Sequence, residues 1–189
     1  MGRMPRVLEI VKYGDPVLRA KGKPVTEVTD EIKALAGDMI ETMRAANGVG
    51  LAAQQIGRPI QLAIVDVSGV EDRPSAMRIN GREVAVDDWM PMILLNPRVI
   101  LSEEKEVGVE GCLSFPEITA DIERASIVKA RAQLLDGREV EFEAAGLLAR
   151  ALQHEVDHLN GVLFIDRMNA AAKASVAGRL KRLQKEVRK

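Results

Sequence analysis

The 189 residues include one cysteine, Cys112, so no disulfide can form within the chain, which fits a reducing compartment. No apolar run approaches the roughly 20 residues that a membrane-spanning helix needs. The N-terminal residues also lack the apolar core of a secretory signal. A formal net charge of −1 gives no electrostatic reason to expect nucleic acid as a partner. These absences predict a cytoplasmic protein that contacts neither a membrane nor DNA.

Hydrophobic residues make up 47% of the sequence, which suits one globular domain with a buried core. Apolar residues at helical spacing predict a helix over residues 29–48. The apolar runs 61–67 and 92–97 predict buried strands, the second closed by Asn96-Pro97. Between these strands, the polar residues 68–91 predict a surface loop or flap that contains a small hairpin.

Strict alternation of apolar and polar residues over 126–144 predicts a second hairpin with one buried face. A loop of three or five residues keeps the apolar faces together and sets Arg131 opposite Glu143, a favourable pair. Helical periodicity follows over residues 144–160. Strands before a helix predict an α+β fold, with mainly antiparallel sheets around a central metal-binding helix and a helix at the C-terminus.

The tail from Lys173 contains seven basic residues and one acidic residue. Its apolar residues fall at helical spacing and predict an amphipathic helix docked on the domain: Val176, Leu180, Leu183 and Val187. The basic face of this helix is either simply solvated or contacts an acidic partner such as ribosomal RNA.

Both histidines of the chain lie in the stretch QHEVDHLNG, residues 153–161. On a helix, His154 and His158 share one face a turn apart and can bind one metal ion. Glu155 flanks that ion as the general base of an H-E-x-x-H site. The alternative is a pair of surface histidines on a polar helix face.

A catalytic metal site needs three protein ligands and an open position, and the chain has no third histidine. Phe164 stands where one pattern places a downstream histidine, and the only later glutamate is Glu186 in the basic tail. The remaining candidates for the third ligand are Cys112 and an unrecognised carboxylate. A lone cysteine is more often a small buried residue, but a dication would hold its thiolate form.

The stretch NGVGLAAQQIG, residues 47–57, combines glycines with small apolar residues. A ligand can lie against such a backbone, and Gln55 supplies an amide donor. The same composition also occurs where a helix simply ends, so this segment alone does not decide between the two interpretations.

Three segments together resemble the motifs of one family, the peptide deformylases: GVGLAAQQ (48–55), EGCLS (110–114) and QHEVDHLNG (153–161). The motifs are intact, in the family's order, and the resemblance covers roughly residues 5–168. It implies a deformylase-like catalytic domain over residues 1–168, followed by a basic amphipathic helix over residues 169–189.

The resemblance also implies a reaction, the removal of the formyl group from formylmethionine of nascent peptides with release of formate. One divalent metal is expected, Fe(II) foremost, with Zn, Ni or Co able to replace it. Its implied ligands are Cys112, His154 and His158. Glu155 would act as the general acid/base, and the oxyanion would be stabilised by the Gln55 amide and the Leu113 N–H.

A further set of residues is expected to contact the substrate: Val49, Gly50, Glu110, Gly111, Leu147 and Ala151. Val49, Leu147 and Ala151 would line an apolar pocket for the methionine side chain. The alternative is that they simply pack in the core. In the family, an aspartate at Asp157 pairs with an arginine that Arg124 matches, which implies structural support.

The chain departs from the family in three places. Thr119 stands where many members have an arginine that contacts the peptide backbone. Arg150 stands where an apolar pocket residue is common. Residues 68–91 form a longer segment than in compact members and could cover the cleft. Two alternatives remain open, a general metallopeptidase or amidase and a binding-only homologue.

Overall fold

The structure, a computed structural model, describes residues 3–188. Met1, Gly2 and Lys189, which fall within the two expected segments, lie outside the described residues. Three α-helices and nine strands form in the described range: α1 (Asp30–Ala45), β1 (Gly50–Ala52), β2 (Leu62–Val65), β3 (Ser75–Ile79), β4 (Arg82–Val84), β5 (Met92–Leu101), β6 (Lys105–Cys112), β7 (Phe115–Ala125), β8 (Ile127–Gln133), β9 (Glu139–Gly146), α2 (Leu147–Leu159) and α3 (Ala170–Val187).

Seven strands form one antiparallel sheet in the order β1-β2-β5-β8-β9-β3-β4, and β6 pairs with β7 in a separate sheet. α2 packs between them, with Leu148 and Leu152 in the core that covers the large sheet. α1 also packs on β1 and β2, in a separate cluster that contains Leu51, Leu62 and Ile64. The arrangement confirms the expected α+β fold with mainly antiparallel sheets around a central helix.

Side-chain caps fix where the outer helices begin. Thr29 accepts a hydrogen bond from the Ile32 N–H at 3.2 Å, and Asn169 accepts one from the Ala172 N–H at 2.8 Å. Val176 of α3 is buried in a cluster with residues of β7, which confirms a docked C-terminal helix. No helix formed by residues 3–188 has both the length and the apolar character needed to span a membrane.

The prediction that Asn96-Pro97 closes a strand is wrong. β5 continues to Leu101 across a β-bulge between Leu95 and Arg98, where Asn96 adopts φ +50°. The Asn96 amide bonds to the backbone N–H and carbonyl of Val25, each at 2.8 Å. These bonds replace part of the ladder that the proline interrupts.

The interpretation of residues 68–91 as a flap is also wrong in part. The small hairpin forms as β3 and β4, with Asn80 and Gly81 at its turn, both with positive φ. β3 pairs with β9, so the hairpin extends the large sheet instead of covering the cleft. Only the segment before β3 approaches the cleft, through Arg73.

The β8–β9 hairpin keeps its apolar faces together, as expected, but Arg131 lies opposite Glu141 and not Glu143. The loop between the two strands is therefore centred on residue 136, one residue before the centre at 137 that the expected pair requires. The predicted start of α2 at residue 144 is wrong because β9 continues to Gly146, which has φ +68°. A Cβ there would collide with the backbone of Pro74, so glycine is required.

Candidate active site

The ligand face of α2 looks onto the end of β6. His154 and His158 are buried one turn apart on this helix, with ring centroids 4.9 Å apart. Cys112 ends β6, and its Sγ lies 3.3 Å from His158 Nε2. The ligand atoms of all three residues lie within 4.8 Å of one another. The structure thus brings together the three residues that the sequence suggested as metal ligands.

Glu110 fixes the orientation of His154. Its Oε1 lies 2.8 Å from His154 Nδ1, which leaves Nε2 as the nitrogen that faces Cys112. Arg124 and Arg150 hold the same carboxylate through bonds of 2.8, 2.8 and 2.9 Å. Burial would raise the pKa of Glu110, but the bonds from Arg124 and His154 hold it far below its usual range. The sequence did not reveal this network.

The two histidines differ in pKa. Burial acts to lower the pKa of His154, but hydrogen bonds with Cys112 and Glu110 together raise it well above its ordinary value. His158 Nδ1 is buried without a hydrogen-bond partner among residues 3–188, and burial lowers the pKa of His158 well below its ordinary value. A neutral imidazole is the form that binds metals, so His158 is ready to act as a ligand, whereas His154 has to release a proton when a metal binds.

The donor set fits a divalent transition metal. One sulfur and two imidazole nitrogens converge, and three protein ligands leave one coordination position open. The carboxylate that orients His154 is the kind of outer partner that metal-binding histidines use. The residues present therefore suit a catalytic metal centre rather than a closed structural one.

Glu155 lies beside this centre with its carboxylate against the backbone of Gly50. The residue is 4% exposed, and its Oε2 has no hydrogen-bond partner in the described part of the chain. Burial raises the pKa of Glu155 to about 7. A carboxyl group in this environment can take up and release a proton near neutral pH.

Gln55 faces the centre from the turn after β1. Its Oε1 accepts the Ala52 N–H at 3.0 Å, which fixes the orientation of the amide. Its Nε2 lies 3.2 Å from Ser114 Oγ and 3.6 Å from Cys112 Sγ. The amide donor is therefore directed at the region of the proposed ligands.

These groups line a cleft of about 540 Å³. All the residues expected to contact substrate or an oxyanion border it: Val49, Gly50, Gln55, Glu110, Gly111, Leu113, Leu147 and Ala151. The sequence analysis missed Arg73, Phe115 and Ile118, which border it as well. Phe115 and Ile118 follow the cysteine motif closely and were within reach of that signal. Nothing in the polar stretch around Arg73 pointed to the cleft.

Arg150 borders the cleft at the position where the resemblance would place an apolar pocket residue. Its guanidinium is turned into the wall, where it donates to Glu110, to the Ile122 carbonyl at 2.8 Å and to the Glu106 carbonyl at 3.1 Å. The pair expected from the resemblance also forms, since Arg124 Nη1 lies 2.6 Å from Asp157 Oδ2.

Comparison with known proteins identifies the family. The sequence model described as Polypeptide deformylase matches residues 7–174. The chain belongs to the polypeptide deformylase family. Membership makes it an enzyme of the deformylase type.

Relatives of this family match the chain over nearly its whole length. A peptide deformylase from Methylacidiphilum infernorum is 44% identical over 179 residues, which are 95% of this chain and 94% of the relative. The peptide deformylase structure from Thermotoga maritima is 41% identical, covers 86% of this chain and 98% of its own, and has a TM-score of 0.72. The structure from Ehrlichia chaffeensis is 34% identical with a TM-score of 0.81, covering 95% and 98%.

Proposed function

We propose that the chain removes the N-terminal formyl group from formylmethionine of newly made polypeptides and releases formate. The observation that carries this proposal is the convergence of one thiol and two imidazoles beside a buried carboxylate without a hydrogen-bond partner, within residues 3–188. A metal-dependent hydrolase can use this combination for its metal and its general base, and the cleft beside it is large enough for a peptide terminus.

Cys112, His154 and His158 would hold one divalent metal, which we propose to be Fe(II), with Zn, Ni or Co as ions that the same ligands accept. When bound, such an ion lowers the pKa of a water molecule and polarises a carbonyl oxygen. Glu110 holds the His154 ring through Nδ1, so that Nε2 would be the nitrogen available to the metal once its proton is released, and burial keeps His158 neutral.

Glu155 acts as the proton carrier in this proposal. With a pKa of about 7, its carboxylate takes a proton from the attacking water and later gives it to the leaving amine. Gln55 Nε2 and the Leu113 N–H donate to the oxyanion that develops at the formyl carbon. The bond from Ala52 prevents the Gln55 amide from turning its oxygen towards that charge.

The walls of the cleft suit an extended peptide. β1 is an edge strand of the large sheet, and β6 pairs with one strand only. Each wall therefore offers unpaired backbone groups to a peptide main chain, around Gly50 on one side and Glu110 and Gly111 on the other. We propose that the methionine side chain lies against Val49, Leu147 and Ala151.

We further propose that residues 1–168 form the catalytic unit and that the helix within 169–189 contacts the ribosome near its tunnel exit, in the cytoplasm. The apolar side of α3 packs on the domain through Val176, Leu180 and Leu183, which leaves its basic side chains exposed. A ribosome pelleting assay with and without residues 173–189 tests this contact, and equal binding by both proteins contradicts it.

The activity is tested by formate release from formyl-Met-Ala-Ser under anaerobic conditions with Fe(II) or Ni(II). Glu155→Ala should keep the metal and lose turnover, whereas Glu123→Ala, an exposed change of the same charge on β7, should keep both. Cleavage of unformylated peptides would favour a general peptidase, and no turnover with any metal would favour a binding-only protein.

A further inference from the structure

The segment before β3 places a positive charge at the rim of the cleft. Its end is fixed to α2, because the Pro74 carbonyl accepts the Leu147 N–H at 3.2 Å and Ser75 Oγ accepts the Leu148 N–H at 2.9 Å. Arg73 immediately precedes these anchors and borders the cleft. Its backbone is therefore positioned by the same helix that carries two of the three proposed metal ligands, His154 and His158.

The side chain of Arg73 reaches the free edge of β6. Its Nη2 donates to the Val109 carbonyl at 3.0 Å. Among residues 3–188, this is the only hydrogen bond that Arg73 makes, and no carboxylate there forms an ion pair with it. The guanidinium thus has donors left over for a ligand in the cleft.

The other cations along the cleft are less suited to that role. Arg150 is buried and engaged with Glu110 and backbone carbonyls. Lys12 lies near the Leu113 carbonyl, at the end of β6 close to the metal ligands, at 3.4 Å. Thr119, across the strand pair from Gly111, brings no charge. Arg73 therefore supplies an exposed guanidinium beside β6, next to the part of that strand that leads away from Cys112.

Strand geometry relates Arg73 to a position in the substrate. Val109 lies three residues before Cys112, which is about 10 Å along an extended strand. In a formylated peptide extended along β6, the third residue has its Cα about 9 Å from the formyl carbon. The third residue of the peptide therefore comes level with Arg73 when the formyl group is at the metal ligands.

We propose that Arg73 binds a carboxylate carried by the third residue of the substrate and so favours formylated peptides with an acidic group there. This inference rests on the proposed deformylase function. The carboxylate belongs either to an Asp or Glu side chain or, in a tripeptide, to the chain terminus. Planar guanidinium groups bind carboxylates through paired hydrogen bonds, which Arg73 can form while it keeps its bond to Val109.

The test compares formyl-Met-Ala-Glu-amide with formyl-Met-Ala-Gln-amide, and formyl-Met-Ala-Ser with its amide, in the metal-loaded protein. We expect KM for each carboxylate form to be about fivefold lower than for its neutral counterpart, as suits one partly exposed ion pair. Arg73→Ala should remove both preferences by raising KM for the two carboxylate substrates, and Arg73→Lys should retain part of each preference. A preference in only one pair identifies which carboxylate is bound.

Arg82→Ala is the matched control, because Arg82 is an exposed arginine on β4 and its loss changes the net charge equally. It should leave both preferences intact. If Arg73→Ala keeps the preferences, or lowers kcat equally for every substrate, Arg73 does not select the substrate and the proposal is overturned.

A binding measurement separates this inference from the proposed function. In the Glu155→Ala background, calorimetric titration should show tighter binding of the Glu peptide than of the Gln peptide, and Arg73→Ala should equalise the two. An absence of formate release from every substrate would refute the deformylase function. Equal binding within both pairs before Arg73 is changed, the Glu against the Gln peptide and formyl-Met-Ala-Ser against its amide, would refute the role of Arg73.

Discussion

Replacing Gly50 by alanine tests whether the Glu155 carboxylate has to lie where the structure places it. An alanine Cβ would lie 2.9 Å from Glu155 Cδ, 3.0 Å from Cγ and closer still to Oε1. Ordinary contacts begin at 3.4 Å. Because Glu155 is buried in the cleft wall, its carboxylate has to move by about half an ångström or more to relieve the contact.

A catalytic group displaced by about 1 Å can lose about 10²-fold in rate. We therefore expect Gly50→Ala to lower kcat about 10- to 100-fold. Metal content should not change, because the three atoms nearest to an alanine Cβ all belong to Glu155 and none to a proposed metal ligand. The assay is anaerobic formate release from formyl-Met-Ala-Ser, with metal analysis and thermal denaturation of the same preparation.

Gly37→Ala provides the control for this substitution. On α1, the new Cβ would meet its nearest neighbour, Pro5 Cγ, at 3.7 Å, an ordinary contact. Alanine in a helix stabilises by about 0.5–1 kcal/mol over glycine, so this variant should be slightly more stable and fully active. A folded, metal-loaded Gly50→Ala protein with unchanged kcat would refute the reasoning about Glu155.

Three further outcomes are expected. Gln153→Leu should destabilise the protein by about 3 kcal/mol in urea denaturation, because the N–H and carbonyl of Ala125, bonded at 3.0 and 2.9 Å, would be left buried and unpaired; a loss near zero contradicts this. The hydrogen bond from Arg3, opposed by burial and aided by the Arg6 N–H, lowers the pKa of Asp38 to about 2. The stability that Asp38 contributes is therefore complete above pH 4 and lost as the pH falls towards 2, so the melting difference from Asp38→Asn should disappear across that window. Metal removal by a chelator should lower the melting temperature. The loss of stability is about 2.7 kcal/mol if the ion was present at 100 times its Kd. An unchanged melting temperature would contradict a metal site that joins β6 to α2.

Local sequence patterns predicted the helices and strands that keep one face against a single core along their length. Alternation over residues 126–144 identified a hairpin with one buried face because every second side chain contacts the same core. Spacing of four residues placed His154 and His158 on one helix face without knowledge of the tertiary fold. The absence of a downstream ligand then directed attention to Cys112, which the fold does bring to the two imidazoles.

The missed features depend on partners far away in sequence. β5 passes through Asn96-Pro97 because Val25 supplies hydrogen bonds that no local pattern reveals. Glu110 borders the cleft, as expected of a residue near the substrate, but no local pattern revealed that its carboxylate meets a histidine and two arginines from β7 and α2. Arg73 lies in a stretch that looks like an ordinary polar loop until β3 pairs with β9 and carries it to the cleft.

The unpaired edges of β1 and β6 impose an order of events on the proposed reaction. A terminus already wound into a helix has its N–H and C=O groups bonded to one another and cannot offer them to either edge. A chain whose first residues are still extended can offer its N–H and C=O groups to both edges. The formyl group therefore has to be reached before the first residues of the polypeptide pair their backbone groups with one another, so the timing of the proposed reaction follows from two strands that each lack a neighbour on one side.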